Sequence, residues 1–67
     1  MNTSQELTSF VDYAHPTMMA EKALKALHDA ALEHNWIEAR QQAINTIRWA
    51  TEAHAALKVM EQKDKCA

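Results

Sequence analysis

Sixty-seven residues with seven basic and nine acidic side chains leave room for one small, slightly negative domain. That balance excludes a strong nonspecific attraction to nucleic acid or to an anionic membrane surface. One cysteine, Cys66, excludes an intramolecular disulfide, and no apolar run approaches the length that spans a bilayer.

The chain has no glycine and one proline, Pro16, and alanine supplies a large share of its apolar residues. Glycine and proline are the residues that most destabilise helix interiors, so this composition points to a helix-rich protein. A monomer of this length buries only roughly 60% of the surface its unfolded chain exposes, and small chains compensate with disulfides, a metal or self-association. Met1 to Glu6 lacks the basic segment and apolar core of a secretory signal. A cytosolic protein is expected, and the lone thiol fits a reducing compartment.

Residues 1–15 admit two readings. Thr3 followed by Glu6 fits a capping box, with Leu7, Phe10 and Val11 then spaced for one helical face. Leu7 to Tyr13 is equally rich in β-branched and aromatic residues and alternates in the manner of a strand. A lone strand cannot satisfy its backbone groups, so the strand reading requires a second copy of the chain.

Pro16 is the first firm boundary, because proline suits the first turn of a helix and disfavours helix for the residue before it. The first helix is expected over about 16–33, with Ala20, Ala23, Leu24, Leu27 and Ala31 forming one stripe at three- and four-residue spacing. Glu21, Lys25 and Asp29 stand four apart on another side as solvated charges. His34-Asn35 then ends the helix, asparagine being the natural stop where glycine is absent. Trp36-Ile37-Glu38-Ala39 restarts the helical pattern at once, and so short a connection sets the helices antiparallel and in contact.

The second helix is expected over about 36–62, longer than its partner. Trp36, Ala43, Ile44 and Ile47 mark one apolar face, prolonged by Ala50, His54 and Leu57, while Trp49, Ala53, Ala56 and Met60 form a row on nearly the opposite side. The expected hairpin core is therefore Leu24, Leu27, Ala31, Trp36, Ile44 and Ile47. The second row, with Leu7, Phe10, Val11 and Leu57, is expected to meet another subunit or partner, since aromatics and methionine favour interfaces. Residues 63–67 form a polar tail expected to be disordered, within a single domain spanning 1–67.

No set of residues specifies a reaction. His15, His54 and Asp12 could approach one another across the hairpin, but no close-spaced ligand pair supports a zinc site, and capping or packing histidines are the simpler reading. Ser4, Ser9 and Cys66 lack an oriented base beside them, and a glycine-rich phosphate loop is absent. No catalytic, cofactor-binding or metal-binding residues are assigned, and no cofactor is expected. Arg40, Gln41, Gln42, Asn45 and Arg48 are residue types that read base edges, which gives an alternative: a small DNA-associated transcription regulator. A long hairpin without a basic patch argues against it, so nucleic acid is not an expected partner.

Glu6-Leu7-Thr8-Ser9-Phe10-Val11, the stretch His15 to Leu24 and the segment Trp36-Ile37-Glu38-Ala39-Arg40 carry a family likeness. The chain resembles the small early-region proteins of lambdoid temperate phages, encoded between the exonuclease and excisionase genes. The resemblance covers nearly the whole chain and rests on overall likeness without a catalytic motif, so it transfers no site residues. It implies a mainly α fold of two helices and one strand, near residues 7–13, assembled as an intertwined homodimer. It further implies a non-enzymatic protein of the host bacterial cytoplasm that favours lytic development by contacting an unknown host or phage protein. The hairpin also has a faint look of a tetratricopeptide unit, which a single unpartnered copy does not sustain.

Overall fold

The computed structural model describes residues 12–66, which form two helices, α1 (Ala14–Leu32) and α2 (Trp36–Cys66), packed against each other. The expected N-terminal strand lies outside the described residues. Among the described residues there is no strand.

α1 starts two residues before Pro16, with no side-chain cap at Tyr13. Instead the Asp12 Oδ1 accepts the Ala14 N–H at 3.0 Å, and the Tyr13 carbonyl accepts the Thr17 N–H at 3.1 Å. Pro16 occupies the third helical position, where the missing N–H would have had no intrahelical acceptor. The ring therefore costs no hydrogen bond and is buried.

The helix ends in a Schellman motif. The Asn35 N–H donates to the Ala30 carbonyl at 2.9 Å and the His34 N–H to the Ala31 carbonyl at 3.0 Å. The left-handed residue this motif requires is His34, with φ 62°, and not Asn35 as the sequence suggested. Asn35 has the opposite job. Its Oδ1 accepts the Glu38 N–H at 3.3 Å and its carbonyl accepts the Ala39 N–H at 3.0 Å, so it caps the next helix. One pair of residues thus stops α1 and starts α2.

Two alanine rows close the hairpin. Ala23, Ala30, Ala39 and Ala53 are the buried apolar residues among those described, each 6–8% exposed. On α2 a row of buried and half-buried positions runs Ala39, Gln42, Thr46, Trp49, Ala53, Ala56, Met60, with Ala43 and Asn45 half-buried to either side of it. On α1 they include Pro16, Met19, Ala23, Ala26 and Ala30. Both rows alternate steps of three and four, the spacing of helices that cross at a shallow angle in a left-handed coil. Small side chains every seventh residue let the two backbones approach closely.

This overturns the expected face assignment. Leu24, Trp36, Ile44 and Ile47, placed in the hairpin core from sequence, are 54–66% exposed. Leu27 and Ala31 are half-buried at the edge. Trp49, Ala53 and Met60, expected at an intersubunit contact, line the α1 side of α2 instead. The cause is steric: a seam of large residues would hold the helices apart, whereas the alanine heptads fit a close crossing. α2 also continues to Cys66, four residues past its expected end and through most of the expected disordered tail.

Two stability changes follow. Asn35→Ala should cost about 1 kcal/mol through loss of the cap, lowering the thermal midpoint by roughly 4–8 °C. Ala30→Leu should destabilise by about 1–3 kcal/mol, because the seam has no room for the added carbons. Thermal unfolding followed by circular dichroism at fixed chain concentration checks both.

Candidate interaction surface

A two-helix hairpin has two flanks, and here they differ in chemistry. One flank is located by a shallow groove lined by Met19, Lys22, Ala23 and Ala26 of α1 and Gln42, Asn45 and Trp49 of α2. Polar groups on it bond to one another: the Gln42 Nε2 donates to a Glu38 carboxylate oxygen at 2.8 Å, and the Asn45 Nδ2 to the Gln42 Oε1 at 3.3 Å. The Thr46 and Thr51 hydroxyls donate to the carbonyls of Gln42 and Ile47, each at 2.8 Å.

At 3.6 residues per turn, Leu24, Leu27 and Ala31 project from α1 away from Lys22 and Ala26, and Ala43, Ile47 and Ala50 project from α2 away from Asn45. They share the second flank with Arg40, which projects between Ile47 and Ile44, while Ile44 points away from α1. The groove on the first flank sets residues 22–26 level with 42–49. Leu24 and Leu27 therefore stand at about the same height as Ala43, Ile44 and Ile47, midway along the hairpin. Ile44 and Ile47 are 63% and 66% exposed, and the remaining isoleucine, Ile37, is 69% exposed. Leu24 is exposed with them at 54%, whereas Leu27 and Ala43 are half-buried.

The aromatic residues do not extend this cluster into a core. Trp36 stacks on the His34 ring, centroids 5.4 Å apart and planes 20° from parallel, which braces the turn from outside. Trp49 is half-buried and meets the edge of His15 at 5.6 Å and 86°. Of the remaining expected contact residues, Leu57 is 48% exposed, and Leu7, Phe10 and Val11 lie outside the described residues.

His15 is thus engaged with Trp49, and among the described residues no three His, Cys, Asp or Glu side chains converge as a metal site. The row Arg40, Gln41, Gln42, Asn45 and Arg48 does not form one surface. Gln42 and Asn45 are half-buried and bonded to neighbours, and Arg40 points roughly 160° away from Gln42 around the helix. No helix among the described residues is long and apolar enough to cross a membrane.

Sequence reasoning found every member of the apolar flank but assigned it to the wrong contact. It missed the Asn35 cap, whose signal is the spacing Asn35-Trp36-Ile37-Glu38 just before a helical run. Comparison with family models, curated proteins and solved structures gave no match.

Zinc at equimolar or tenfold excess should leave the thermal midpoint unchanged, since His15 packs on Trp49. A rise on zinc addition, reversed by a chelator, would contradict that arrangement.

Proposed function

We propose that this chain is a non-enzymatic early protein of a lambdoid temperate phage, acting as a homodimer in the host cytoplasm and promoting lytic development through protein–protein contacts. The family resemblance supplies the biological setting, and one structural observation supports the interaction role. That observation is the exposure of the large aliphatic side chains Leu24, Ile44 and Ile47 on a hairpin that seals itself with alanines. On this reading strands near residues 7–13 pair between the two chains, and the dimer presents its remaining surface to a host or phage protein. The hydrogen bonds that occupy Gln42 and Asn45 weigh against the DNA-associated alternative, because those donors are already satisfied within the helix.

The test is made in cells that express the chain before infection by a lambdoid temperate phage. The frequency of lysogeny should fall relative to cells expressing the destabilised Ala30→Leu chain. In parallel, light scattering behind size exclusion should report twice the 7.6 kDa chain mass. An unchanged lysogeny frequency, with the chain shown to be folded and present, would remove the functional reading.

A further inference from the structure

We draw no further inference here: the strongest candidate, the surface patch of exposed Leu24, Ile44 and Ile47 around Arg40 midway along the hairpin, carries none, because nothing in the structure shows what covers it.

Discussion

Ala23 and Ala30 on α1 and Ala39 and Ala53 on α2 carry only a methyl group each, yet they are the residues around which the hairpin closes. A buried methyl contributes roughly 0.8 kcal/mol, well under what a buried leucine supplies. What the alanines provide is proximity. With nothing larger in the seam the backbones lie close, and the Gln42, Thr46 and Trp49 side chains are carried to the margin of the contact, where they are half-buried. The large aliphatic residues of both helices are then forced outward, because the inner positions are taken.

That displacement explains which parts of the fold were legible in sequence. Helix content, the boundary near Pro16, the position of the turn and the antiparallel arrangement all follow from local signals: a glycine-free composition, one proline and a connection of three residues. The faces did not follow, because hydrophobic periodicity reports that a residue avoids water without reporting which neighbour it meets. Leu24, Ile44 and Ile47 outrank Ala23, Ala39 and Ala53 on any hydrophobic scale, so the larger set was assigned to the nearer contact. The seven-residue spacings Ala23–Ala30 and Ala39–Thr46–Ala53 were present in the sequence all along. Read as a small-residue seam, they would have placed the helices correctly.

The turn gives a second case of a signal read at the wrong residue. Asparagine and histidine both tolerate a positive φ better than most side chains, and His34-Asn35 offered either for the helix stop. Asn35 is the better N-cap, since its short carboxamide reaches the Glu38 N–H, which a histidine ring in its place is not suited to do. Using Asn35 to cap α2 leaves the left-handed position to His34, whose ring then stacks on Trp36. The order of the two residues is fixed by what each can do for the helix that follows, and not by which is easier to twist.

A seam made of methyl groups and a flank made of leucine and isoleucine divide the work of stabilisation unequally. Conformational entropy opposes folding by about 1–2 kcal/mol for each ordered backbone residue, and a single layer of two helices has little buried apolar area to set against it. On the proposed dimer folding is coupled to association, so apparent stability rises with chain concentration. The hairpin's geometry is dictated by its alanines, while Leu24, Ile44 and Ile47, the larger side chains, add little to the burial within one chain.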